Sequence, residues 1–474
     1  RTAGHREDLA DQLSMHFFHA HNYEKAWLHS RAAGDRARAQ YAHAEAMEFL
    51  ELALESAARV PDQVAPAQVA AVHEQLGDVR DIAGLSTEAA DAYRRARRFA
   101  IGDPVQLAGL MFKEASIAQR VGKFSASLGL LSRGRKVLDG ASGTDADAAR
   151  SRLATRYGFG KYLQGKYHEA MRWSTVGAKE AREAGDRESL AYAYTAMHLA
   201  YMHAGRIEEQ PFGELSLAIY EEVGDLRMQG HCLNNLAIGA MQDGRWDLSA
   251  DLLHRAADVF RRIGDTANEA NAVYNRADLL IRQGRFADVE PLLTAALRAA
   301  RAVDDHELVA LVLREQGRML SGLGRWDEAV ELFDDARARF TGLGLPQELI
   351  GLDGALAECL MLSGRLDEAT VVVAGALDRA RAMHANMLLA PLHRIHGFGL
   401  LAAGRLGEAR AVLEAGLQSP DGADGQHEHA LMMMGLGELS RGRPDAEARE
   451  MRRRSREILD RLGVVSVPIA KLVG

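Results

Sequence analysis

Residues 160–167 read Gly-Lys-Tyr-Leu-Gln-Gly-Lys-Tyr, the G-x-x-x-x-G-K spacing of a phosphate-binding loop with Tyr167 where a Ser or Thr would ligate Mg²⁺. Such a loop needs a β-strand before it and backbone N–H groups converging on the phosphate. The flanking residues read as helical, so the match is expected to be a coincidence of register. His16, His19, His21 and His29 could supply zinc nitrogens, with His16 and His19 on one helical face. No Cys and no H-E-x-x-H accompanies them, and Phe17 and Phe18 intervene, so packing is the expected role. His427 and His429 lie near Met432, Met433 and Met434, a soft-metal composition that more commonly fills a core. The basic runs Tyr93 to Arg98 and Arg452 to Arg456 have the acidic neighbours Asp91, Glu450 and Glu457, as solvated helix faces do. Cys232 and Cys359 belong to no nucleophile–base arrangement. No catalytic residue, cofactor or metal is therefore expected, and the chain is not expected to be an enzyme.

The elements that position these side chains follow from composition and spacing. Of 474 residues, 47% are apolar, 26% charged and 6% aromatic, with ten prolines: a folded, helix-forming composition. The formal charge of −8 gives no general attraction to nucleic acid or an anionic membrane. Two cysteines fit a reducing cytoplasm, and no apolar run reaches the length of a membrane span. The chain starts at Arg1 and is expected to be a fragment of a longer protein.

A Gly–basic–apolar tripeptide recurs at Gly122, Gly165, Gly205, Gly244, Gly284, Gly324, Gly364 and Gly404, at intervals of 43, 40, 39, 40, 40, 40 and 40 residues. Weaker copies stand at Gly84 and Gly442. Halfway between, Gly185-Asp186, Gly224-Asp225 and Gly264-Asp265 mark a second turn, and Val303-Asp304 keeps the phase. Glycine ends a helix in the left-handed conformation, and Asp caps the next helix. Each period thus predicts helix, tight turn, helix. Five residues after the turn glycine stands a small residue (Ala89, Ala170, Ser249, Ala329, Ala369, Ala409), and seven before it Gly or Ala (Gly77, Ala115, Gly158, Ala237, Ala277, Gly317, Ala357, Gly397). These predict the crossing points of antiparallel helices.

The pattern resembles the tetratricopeptide repeat, in a long-period form, over about Ala67 to Gly463. The resemblance implies an all-α fold, an α-solenoid of about ten helix-turn-helix repeats in a right-handed superhelix, with first helices lining a concave groove. Residues 1–60 are expected to form an irregular helical adaptor, 61–66 a linker, 67–463 the array with a capping repeat from about 428, and 464–474 a tail. The first fifty residues are also similar to the helical segment that follows the ATPase module of large bacterial transcription activators and nucleotide cyclases. That similarity implies a C-terminal regulatory region.

Counted back from each turn glycine, the inward positions ten before it include Asn234, Tyr274, Arg314 and Arg394, and those six before include Asp278, Arg318 and Glu358. Asn235 and Asn275 stand nine before theirs. Asn234, Asn235, Tyr274, Asn275, Asp278, Arg314 and Arg318 form the expected binding patch. Amides can bind a peptide backbone, Arg its carboxylates and aromatics its apolar side chains. The expected partner is a protein or peptide in the groove, or an upstream ATPase or effector domain of the same polypeptide, with a small-molecule inducer as a further ligand class. No nucleic acid or membrane is expected. The alternatives weighed are a stand-alone scaffold and, less favoured, a metal-dependent enzyme built on the N-terminal histidines.

Overall fold

The computed structural model describes residues 10–100, 102–204, 211–419, 425–439 and 446–468. The turn at Gly205, the Gly442–Pro444 turn, the first nine residues of the adaptor and the last six of the tail lie outside them. Among the described residues every regular element is a helix. The chain is an all-α solenoid of antiparallel helix pairs, as the 40-residue spacing predicts.

The turn glycines Gly84, Gly122, Gly165, Gly244, Gly284, Gly324, Gly364 and Gly404 all have positive φ. At Gly244 the chain closes with Gly244 N–H donating to Met241 O (3.1 Å) and Arg245 N–H to Ala240 O (2.8 Å), which satisfies the last carbonyls of the first helix. The basic residue after the glycine is explained at the next step: Arg325, Arg365 and Arg405 each pair with the Glu three residues on, at 2.5–2.8 Å. At the second beat Asp186, Asp225 and Asp265 accept from the backbone N–H three residues on, at 3.0, 3.0 and 3.3 Å. The fourth copy is shifted. Asp304 takes the left-handed place of the glycine, φ 54°, and Asp305 is the cap, accepting from Leu308 N–H at 2.9 Å.

The crossing points fall where the small residues predict them. Ala89, Ala170, Ala329 and Ala409 are fully buried, as are Ala115, Ala237, Ala277 and Ala357. Where the first helix carries Gly, a large residue sixteen positions on fills the space: Tyr93 over Gly77, Phe333 over Gly317, Leu413 over Gly397. Where it carries Ala, a smaller one suffices: Leu293 shares a core with Ala277, and Val373 with Ala357.

The chain divides into two compact units, residues 1–219 and 220–474. In the first, helices Tyr23–Ala39, His43–Arg59 and Pro66–Ile82 share one core of Trp27, Leu50, Val72 and Leu76, and Val64 inside the expected linker is buried in it. The second unit holds the first helices Leu226–Gln242, Thr266–Arg282, His306–Gly322, Pro346–Leu362, Leu389–Ala402 and Gly425–Glu438. They alternate with Trp246–Arg262, Glu290–Ala302, Trp326–Leu343, Leu366–Ala382, Leu406–Leu417 and Ala446–Arg461. Pro291 lacks the N–H that would bond Ala287, so a 3₁₀ turn, Phe286–Asp288, precedes Glu290–Ala302.

Candidate functional site

The residues that suggested chemistry are structural in place. Gly160 and Lys161 lie inside the helix Thr144–Leu163, Gly165 is the turn glycine, and Lys161 pairs with Glu169 at 2.8 Å. His29 stacks on Phe17 with ring centroids 5.3 Å apart, and His21 Nδ1 lies 2.8 Å from the Tyr23 hydroxyl. Among the described residues no three His, Cys, Asp or Glu side chains gather in a metal-binding group. Met432 is fully buried in a core, and both cysteines are buried and free. Arg453 and Arg454 pair with Glu450 at 2.7 Å on an exposed face. No helix is long and apolar enough to cross a membrane, among the described residues.

The seven residues of the expected patch lie on three successive first helices of the second unit, and six of them form one network of hydrogen bonds and ion pairs. Asn275 Nδ2 donates to Asn234 Oδ1 at 3.0 Å and to Asn271 Oδ1 at 3.2 Å. Asn235 is half-buried one residue along. Arg314 reaches in three directions: Nε to Glu315 (3.0 Å), Nη1 to Glu348 (2.6 Å) and Nη2 to the Tyr274 hydroxyl (3.0 Å). Arg318 Nη1 donates to Asp278 (2.7 Å) and to Glu315 (2.5 Å), and Arg282 Nε donates to the other oxygen of Asp278 at 2.9 Å.

The pairs Asn234–Asn275, Tyr274–Arg314 and Asp278–Arg318 each link neighbouring repeats, because a position and its copy 40 residues on face each other across stacked first helices. Burial alone would raise the Asp278 carboxyl, but Arg282 and Arg318 hold it far below the usual carboxylate range. Burial pushes the Tyr274 phenol well up, against the lowering effect of Arg314.

The network continues beyond the expected seven. Arg394 Nε donates to Glu428 at 2.7 Å and its Nη1 to Glu358 at 3.0 Å. Arg394 and Glu358 stand in the same 40-residue phases as Arg314 and Asp278. The acids Glu315, Glu348 and Glu428 fall outside those phases, so repeat counting misses them. In the first unit the inward phase sets Arg156 between the rings of Phe112 and Tyr192, at 5.2 and 4.8 Å from their centroids. A face of amides, phenol and paired charges has no activated nucleophile. It can bind: each side chain has hydrogen-bonding capacity that an extended ligand could exchange for the inter-repeat bonds.

Residues 229–302 and, in an overlapping register, 268–341 match the family model of the tetratricopeptide repeat. The chain carries tetratricopeptide repeats, and the same turn-and-crossing grammar extends on both sides of the matched stretch. These are repeats of the kind that build protein-interaction scaffolds. Among solved structures the chain is similar to a Rap protein complexed with competence and sporulation factor, at 16% identity and TM-score 0.47, covering 76% of this chain and 99% of that one. It is also similar to the apo form of RapI, at 14% identity and TM-score 0.45, with 58% and 99% covered. A third likeness is to the STAND protein with a tetratricopeptide repeat sensor from Pyrococcus horikoshii, at 14% identity and TM-score 0.48, with 70% and 52% covered. No curated protein matches the chain in sequence.

Proposed function

We propose that the chain is a non-catalytic interaction and sensing module, the cytoplasmic C-terminal regulatory region of a larger bacterial signalling protein of the ATPase-coupled kind. Its ligand is a protein or peptide held against Asn234, Asn235, Tyr274, Asn275, Asp278, Arg314 and Arg318. The observation that carries the reading is the side-chain network, which ties three successive repeats together through the residues best suited to hold a peptide. A ligand that takes over the Asn234–Asn275 bond or the Arg318–Asp278 pair alters the coupling between repeats. In a nearest-neighbour array that change is felt along the stack. Sensing then needs no chemical step, only a difference in ligand affinity between two arrangements of the repeats.

The test is affinity capture with the purified chain as bait, comparing wild type with N234A/N275A. Replacing both amides removes the two ends of one hydrogen bond together, so neither is left buried without its partner and melting changes little. A partner held by wild type should bind the double variant about tenfold more weakly, the scale of one or two hydrogen bonds. Equal affinity with unchanged melting removes these amides from the site.

A further inference from the structure

The turn glycines are not equivalent. A Cβ added at Gly84, Gly122, Gly165, Gly364 or Gly404 would meet nothing within 4 Å. At Gly284 it would collide with the carbonyl oxygen and Cβ of Ser466, and at Gly244 with the side chain of Gln426. The first residue of the second helix shows the same contrast. Trp326 is 39% exposed and Leu406 51%, but Trp246 is 3% exposed, enclosed with Leu279 and Leu462 in one apolar cluster and against the ring of His427 at 5.2 Å. What covers this part of the second unit is the unit's own C-terminal segment, nearly 180 residues away in sequence.

The contacts are those of a bound peptide. Val465 N–H donates to Gln283 O at 2.8 Å, and Gln283 Nε2 donates to Leu462 O at 3.0 Å. Leu462, Val464 and Val467 turn apolar side chains into cores of the unit, while Val465 between them is 70% exposed. The segment after Gly463 has no helical turn until Pro468. Ser466, Val467 and Pro468 close one side of a cavity of about 90 Å³ whose other walls include Arg282, Arg318 and Phe286, so the segment reaches the Arg318 end of the patch.

We propose that Leu462–Pro468 is a resident ligand of the second unit, seated on Trp246, Leu279, Gln283 and Gly284, and that an extended peptide with aliphatic side chains at the places of Leu462, Val464 and Val467 replaces it in trans. The proposal rests on the interaction reading above and adds the regulation of that surface. An extended segment attached by two backbone-level hydrogen bonds and three apolar side chains opens locally at far lower cost than the helices beneath it unfold. Release uncovers Trp246 and the Gln283 backbone together, giving an incoming strand one apolar anchor and one hydrogen-bonding edge. Gly284 is the residue that admits the strand's backbone, since any side chain there occupies the place of Ser466 O.

The test titrates a labelled peptide with the sequence of residues 460–468 into the full chain. Wild type, its own segment in place, should bind it at least about tenfold more weakly than Leu462→Ser, in which the resident segment is loosened and the receiving surface intact. Adding Gly284→Ala to Leu462→Ser should abolish binding, and adding Gly364→Ala, with the same positive-φ strain and open space around it, should not. Equal binding by all four chains, or by none, overturns the proposal.

A second measurement does not depend on the fold of Leu462→Ser. Amide exchange at Val465 should speed about tenfold or more in the single variant Gly284→Ala and stay unchanged in Gly364→Ala. Equal protection in both overturns it. Because the probe is the chain's own segment, these experiments can fail while a captured partner still binds at Asn234 and Asn275, and the reverse.

Discussion

Glu315 is wholly buried, between Arg314 Nε and Arg318 Nη1, and a single methyl in its place would leave two guanidinium groups short of their shared partner. Glu315→Ala is expected to destabilise the second unit by about 3–5 kcal/mol in urea denaturation, the usual cost of breaking a buried pair from one side. Glu328→Ala, which removes the exposed partner of Arg325, should leave the midpoint where it is. Acid works on the same scale. Burial first, then the charges of Arg95 and Arg80, lower His73 from 6.5 to about 4. Burial likewise lowers His231, His393 and His396. These groups bind protons in the unfolded chain before they do so in the folded one. Stability therefore falls as pH drops from 6.5 toward 4, and His73 alone contributes about 2–3 kcal/mol of that loss. Replacing His73 by Gln should flatten the pH dependence of the first unit's melting in that window; an unchanged slope would contradict the assignment.

Asp304 and His384 occupy the left-handed position that glycine holds at Gly185, Gly224, Gly264 and Gly344. Asp304→Gly and His384→Gly should each raise stability by roughly 0.5–1 kcal/mol, read as a shift in melting temperature, because glycine adopts that conformation without a Cβ clash. The crossing points give a paired prediction. A Cβ at Gly317 runs into the Phe333 ring, so Gly317→Ala should cost about 1–3 kcal/mol by overpacking. Adding Phe333→Leu should recover most of it, because the pair then matches Ala277 and Leu293.

These elements show how much was legible beforehand. Turns, caps and small residues are local and repeat every 40 residues, so spacing alone predicts the helix pairs and their crossings. The shift from Asp304 to Asp305 as cap was not legible, since two adjacent aspartates satisfy the sequence rule equally. The site was half legible. Residues in the 40-residue phase were brought together, but the acids that neutralise Arg314 and Arg318 lie out of phase, and the cover supplied by Leu462–Pro468 comes from a sequence separation that periodicity does not encode.

At the scale of the whole molecule, each unit is a stack in which every helix pair is buried mainly by its neighbours, so energy and information pass from repeat to repeat. The second unit adds a contact that no nearest-neighbour rule supplies, between its last repeat and the Gly244 and Gly284 turns. A ligand there acts on the inter-repeat network and on the cover together, which is how a module without catalytic groups can report binding. The most direct measurement of the central claim is amide exchange by mass spectrometry on the full chain, with and without the partner recovered by capture. Slowed exchange across the first helices Leu226–Gln242, Thr266–Arg282 and His306–Gly322 is the predicted result. Protection confined to the first unit, or to the second helices of these repeats, would contradict it.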